Sequence, residues 1–142
     1  ISLGIYSINN KYKNFIFFSL PFGSLISGQG TVIDGKLIKG QNGFAGENKH
    51  AIVSYNFSNE LEKNRFTTEG AAEIIAKELL PTICSLGPEA VYIRNKLTPD
   101  TEIIYKYLSY YMPKKYIPEL IHVDNIEEFL FFGQLMMCAN QK

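Results

Sequence analysis

The sequence predicts an α/β domain in which helices cover the faces of a mixed β-sheet. Three observations lead there. Residues 14–20, Asn-Phe-Ile-Phe-Phe-Ser-Leu, form a short apolar run of strand formers, as expected for a strand buried on both faces. Asp34-Gly35 separates two further runs, Thr31-Val32-Ile33 and Lys36-Leu37-Ile38. Beyond Thr67 the apolar spacing lengthens to that of helices, and helical stretches alternate with short apolar runs.

The elements follow in chain order. The opening Ile-Ser-Leu-Gly-Ile-Tyr reads as the middle of a helix and, with Ile1 in first place, suggests a segment of a longer polypeptide. The strand at 14–20 runs into a loop with Pro21, Gly23, Ser24 and Ser27. Asp34-Gly35 favours a type I′ turn, whose central positions both need positive φ, so residues 31–38 form a β-hairpin. Gly40, Gly43 and Gly46 then mark a loop that turns sharply or approaches another group closely. Ala51–Tyr55 is expected as another strand, and residues 56–66 as a polar connection. Thr68 caps a helix with Ala71, Ile75, Leu79 and Ile83 at a spacing of four, which Pro81 should kink or shorten. Glu89–Ile93 has a buried-strand pattern. Thr98-Pro99-Asp100 starts a second helix with a cap, a proline at the first helical position and an early carboxylate; its apolar face holds Ile103, Ile104, Tyr107, Leu108 and Tyr111. Leu120–Val123 is a further strand. Asn125 with Glu128 resembles a capping box for a last helix carrying Ile126, Leu130 and Met137. Meandering strands followed by alternating helix and strand make residues 1–142 a single domain of the ribonuclease H-like, actin-like ATPase half-domain type.

Lys+Arg and Asp+Glu are both 14, so no net field draws this segment to nucleic acid or anionic membrane. Cys84 and Cys138 lie far apart among apolar neighbours and read as buried, reduced thiols, which suits a cytoplasmic protein. No signal peptide opens the chain, and no apolar run reaches the ~20 residues of a membrane span.

At residues 32–50 the chain reads Val-Ile-Asp-Gly-Lys-Leu-Ile-Lys-Gly-Gln-Asn-Gly-Phe-Ala-Gly-Glu-Asn-Lys-His. This resembles a segment of the ROK (repressor, open reading frame, kinase) family that runs VIDGKLxRGxNGxAGExGH, and the looser alternation downstream fits the C-terminal half of such proteins. The resemblance implies that Glu47 accepts hydrogen bonds from sugar hydroxyls, that His50 contacts the sugar and in the family also ligates zinc, and that Asn42 and Gly43 shape the loop beside them. Read without the family, the glycines are hairpin and loop geometry, and Glu47 with His50 is a solvated pair.

Four departures qualify the resemblance. The family's kinases follow the strand at 14–20 with a compact Gly-Thr-Gly-x-Gly phosphate loop, whose consecutive backbone N–H groups cradle phosphate. This chain has Pro21, Phe22 and Leu25 there. The family's CxCGxxGCxE zinc motif is missing from 51–65, so His50 lacks the partners that a structural zinc needs; Glu60 and Glu62 are the carboxylates nearest the place of the glutamate that ends it. Arg94-Asn95-Lys96 stands where the kinases carry glycines against adenosine. The family's catalytic aspartate would lie ahead of Ile1, so no catalytic residue, metal or cofactor is assigned.

His122 reads as a core or edge histidine. Tyr105, Tyr107, Tyr110, Tyr111 and Tyr116 do not share one helical face and read as packing or interface residues. The expected function is the sugar-effector-binding and dimerisation half of a ROK-type transcriptional regulator, a homodimer that reaches DNA only through a region outside this segment. A sugar kinase with a diverged nucleotide site and a catalytically dead subunit are the alternatives.

Overall fold

The computed structural model describes residues 1–139. Its elements are helix α1 (Ser2–Ile8), strands β1 (Phe15–Ser19), β2 (Gly28–Ile33) and β3 (Lys36–Ile38), helices α2 (Ile52–Tyr55), α3 (Asn59–Lys63) and α4 (Thr68–Leu86), strand β4 (Ala90–Arg94), helix α5 (Glu102–Tyr111), strand β5 (Glu119–His122) and helix α6 (Glu127–Ala139). The five strands form one sheet in the order β3-β2-β1-β4-β5. β1 pairs antiparallel with β2 and parallel with β4, and β4 pairs parallel with β5. The sheet is mixed and carries helices on both faces, as the sequence predicts.

Side chains alternate across a strand, and the alternation splits the interior into two cores. Ile16 and Phe18 of β1 with Val91 and Ile93 of β4 pack against α4 and α5 through Ile74, Ile75, Leu79, Ile104 and Leu108. Phe15 and Phe17 with Ala90 and Tyr92 point the other way, toward Ile5 of α1 and Ile126 and Phe129 near α6. A fully buried side chain of this size contributes roughly 1.5–3 kcal/mol, so the central strands are held from both sides. At Gly4 a Cβ would sit 1.7 Å from the Phe129 carbonyl oxygen, so α1 and α6 pack at a distance that only glycine permits.

The hairpin forms as expected: Asp34 and Gly35 have φ of 51° and 72°. The Asp34 N–H donates to Asn14 Oδ1 at 2.8 Å. The other elements correct the sequence expectations in places. Residues 51–55 are not a strand; they pass from a 3-10 turn into α2, which ends at Asn56 in the left-handed region. Among the described residues no strand pairs with them, so their strand propensity goes unused. α4 is capped by Thr67 rather than Thr68, since the Thr67 hydroxyl accepts from the Gly70 N–H. It also does not stop at Pro81 but continues to Leu86. Proline removes one hydrogen bond there, while buried Leu79 and Ile83 on either side anchor the helix.

α5 starts at Glu102, later than expected. Thr98 is fully buried and bonded to Asn95 Oδ1 at 3.2 Å, so it caps nothing. Tyr111, assigned to the apolar face, is exposed. Asn125 Oδ1 receives the Glu127 N–H at 2.9 Å, and α6 packs through Phe129 while Leu130 and Met137 are exposed. Cys84 and Cys138 are exposed free thiols, not buried ones. Successive helical residues lie about 100° apart, so apolar sequence neighbours such as Ile83 do not carry Cys84 inward.

Candidate functional site

The glycine-rich loop leaves β3 and folds back over the start of β2. Asn42 and Gly43 lie in the left-handed region, at φ 56° and 69°. The Ala45 N–H closes the turn on the Lys39 carbonyl at 3.1 Å. Gly46 fastens the loop to the sheet: its carbonyl accepts from the Gln29 N–H at 3.3 Å. A Cβ at Gly46 would sit 1.9 Å from the Gln29 oxygen, on a backbone at φ 90°. Glycine is therefore required here by the approach of two backbones as well as by φ.

Glu47 precedes the 3-10 turn Asn48–His50 as its N-cap, and the His50 N–H donates to the Glu47 carbonyl at 3.3 Å. Glu47 itself has non-helical backbone, at φ −79° and ψ 69°, and the side chains of Glu47 and His50 are both exposed. The His50 ring stacks on Phe44 at 5.3 Å between centroids. The four sequence-predicted residues are not gathered into one cavity. Asn42 borders a shallow concavity with Gly40, Gln41 and Phe44; Gly43 lines a cleft that reaches Leu130 and Gly133 of α6; Glu47 and His50 line neither. Among the described residues no group of three His, Cys, Asp or Glu side chains is placed to hold a metal ion.

A second site opens at the C-terminal ends of β1, β4 and β5, where open α/β sheets bind ligands. This cleft of about 420 Å³ is lined by Pro21, Phe22, Arg94, Lys96, His122 and Asp124, among others. His122 lies on edge strand β5, and its Nε2 pairs with Asp124 Oδ1. The loop after β1 is tied to its surroundings. The Leu20 N–H donates to the Arg94 carbonyl and Asn95 Nδ2 to the Leu20 carbonyl, at 3.1 and 2.9 Å. The Ser24 N–H is engaged by the Pro21 carbonyl and the Ile26 N–H by Ser24 Oγ. The Phe22 and Phe66 rings meet at 5.6 Å, Lys96 Nζ lies 5.7 Å from the Phe22 centroid, and Arg65 Nε donates to the Gly23 carbonyl at 3.0 Å.

Sequence reasoning missed a buried polar seam between α4 and β2. Glu78 is 1% exposed. Burial pushes its carboxyl up to about 8, against hydrogen bonds from Ser27 that pull it down. Thr82 Oγ1 donates to Gln29 Oε1 at 3.3 Å. The signal was present: residues 71, 75, 78 and 82 follow helical spacing, which puts an acid on the stripe that Ala71 and Ile75 bury.

No family model and no curated protein matches the sequence. Solved structures do. The chain is similar to a ROK hexokinase from Thermus thermophilus, with a TM-score of 0.67 and 11% identity over 99% of this chain and 63% of that one. It is similar to a ROK family protein from Streptococcus pneumoniae TIGR4 in complex with sucrose, with a TM-score of 0.67 and 13% identity over 99% and 64%. A ROK family transcriptional regulator, a homolog of the E. coli MLC protein, matches with a TM-score of 0.62 and 13% identity over 99% and 52%. The chain thus spans less than two thirds of the length of these structures. Kinases and a regulator stand side by side among them, and what they share with this chain is its architecture: the chain has a ROK-type fold.

Proposed function

We propose that this chain is the sugar-effector-binding and dimerisation part of a ROK-type transcriptional regulator that does not phosphorylate its sugar. The loop after β1 carries this reading. A phosphate cradle needs backbone N–H groups aimed at the ligand. Here Pro21 has none, the amides of Ser24 and Ile26 are engaged within the loop, and Phe22 packs on Phe66. Glu47 and His50 supply the sugar contacts, with Asn42 and Gly43 shaping the loop. The large apolar side chains exposed on α6, Phe131 at 59% and Leu135 at 50%, support an interface between subunits. DNA contact belongs to a region outside this segment, and the protein acts in the cytoplasm.

The test is calorimetry on the full-length protein with MgATP and with a panel of sugars, beside a coupled kinase assay. The expected result is sugar binding that weakens in Glu47→Ala, with no heat and no turnover from MgATP. One observation favours a second reading, a sugar kinase with a diverged nucleotide site: among the described residues Arg94 and Lys96 make no ion pair and flank the cleft. Micromolar MgATP binding with turnover would put that reading first.

A further inference from the structure

Beneath the loop that bears Glu47 and His50 lies a carboxyl group with no part in the function proposed so far. Helix α4 carries Glu78 into the interior, where its Oε2 is buried without a hydrogen-bond partner. Ser27, 5% exposed, precedes β2 and places its Oγ 3.3 Å from Glu78 Oε1. Asn48 Nδ2 lies 2.8 Å from the same Oγ. An amide nitrogen can only donate, so Ser27 Oγ accepts from Asn48 Nδ2, and the Ser27 hydroxyl donates to Glu78 Oε1. Asn48 is the first residue of the 3-10 turn that Glu47 caps and His50 ends.

We propose that, given the sugar-binding role set out above, Glu78 is a positioning residue: through Ser27 and Asn48 it fixes the turn that presents Glu47 and His50 to the sugar. The seam has a second attachment one turn along α4, where Thr82 holds Gln29 of β2, and Gln29 is the residue to which Gly46 is fastened. The loop is thus tied at Gly46 to the sheet and at Asn48 to the helix. Tyr55 of α2 is the titratable neighbour that senses Glu78, its phenol pushed up by burial and by the acid. A glutamine at position 78 keeps an Oε1 acceptor and carries no charge, so it preserves the relay; leucine ends it.

The experiment compares full-length wild type with Glu78→Gln, Glu78→Leu and Ser27→Ala. Affinity for D-glucose, N-acetyl-D-glucosamine and D-xylose is read by calorimetry. Amide hydrogen exchange is read at His50 and Ala51, whose N–H groups close the turn. Glu78→Leu and Ser27→Ala are expected to weaken sugar binding roughly tenfold, the size of one buried hydrogen bond lost, and to speed exchange at those two amides. Glu78→Gln retains both readouts. Should wild type bind none of these sugars, the proposed function falls, and the exchange arm alone then decides whether Glu78 fixes the turn. Wild-type exchange at His50 and Ala51 in both Glu78→Leu and Ser27→Ala overturns the positioning role, as does faster exchange spread evenly over the protein in both.

Discussion

Replacing Glu78 by glutamine should make the protein more stable in alkali and leave it nearly unchanged in acid. The folded carboxyl sits at about 8 and the ordinary value is 4.5. The folded state therefore holds a proton that the unfolded chain releases across the interval between them. A raised folded value contributes stability that is complete below about pH 4.5, declines as pH rises and is gone above about 8. The gap of about 3.5 pH units, at about 1.4 kcal/mol each, sets a ceiling of about 5 kcal/mol. Local opening that admits water lowers this figure; a change of about 2 kcal/mol is still well resolved by denaturant unfolding. Glutamine does not titrate. Urea midpoints for both proteins from pH 4 to 9 should nearly coincide at pH 4 and diverge as pH rises, with wild type the less stable. Taking the difference between the two proteins cancels groups common to both. Curves that stay parallel across the interval would refute a buried neutral acid at position 78.

The loop and the thiols offer further checks. Gly46→Ala forces a Cβ to within 1.9 Å of the Gln29 oxygen at φ 90°, so it should cost about 1–3 kcal/mol and weaken sugar binding; a fully stable variant with wild-type affinity would remove Gly46 as the fastening point. Cys84 and Cys138 are both exposed, so a maleimide should label two thiols per chain under native conditions. Labelling that waits for denaturant would restore the buried thiols expected from sequence.

What the sequence disclosed follows from how local each determinant is. The hairpin was legible because a type I′ turn constrains only its own two central residues, and Asp34-Gly35 meets that constraint. β1 and β4 were legible because burial on both faces leaves an unbroken apolar run. Ala51–Tyr55 has the same local look, but a strand exists only with a partner, and that is decided elsewhere in the chain. Thr98-Pro99-Asp100 has the residues of a helix start, yet Asn95 engages Thr98 first. In the loop, Glu47 and His50 were marked by their motif. The Asn48–Ser27–Glu78 relay joins three segments far apart in sequence, and only the acid on an apolar stripe hinted at it.

The aromatic clamp on the loop after β1 also bears on how such a chain can change over generations. Phe22→Gly would take from Phe66 its ring partner, yet Pro21 would still lack an N–H and the Ser24 and Ile26 amides would still be engaged. Freeing Gly23 by changing Arg65 would release a carbonyl oxygen, which repels phosphate instead of binding it. Either substitution thus loosens the loop and gains no phosphate contact. The clamp therefore fixes the loop as a unit: a phosphate cradle at this place would require several substitutions at once.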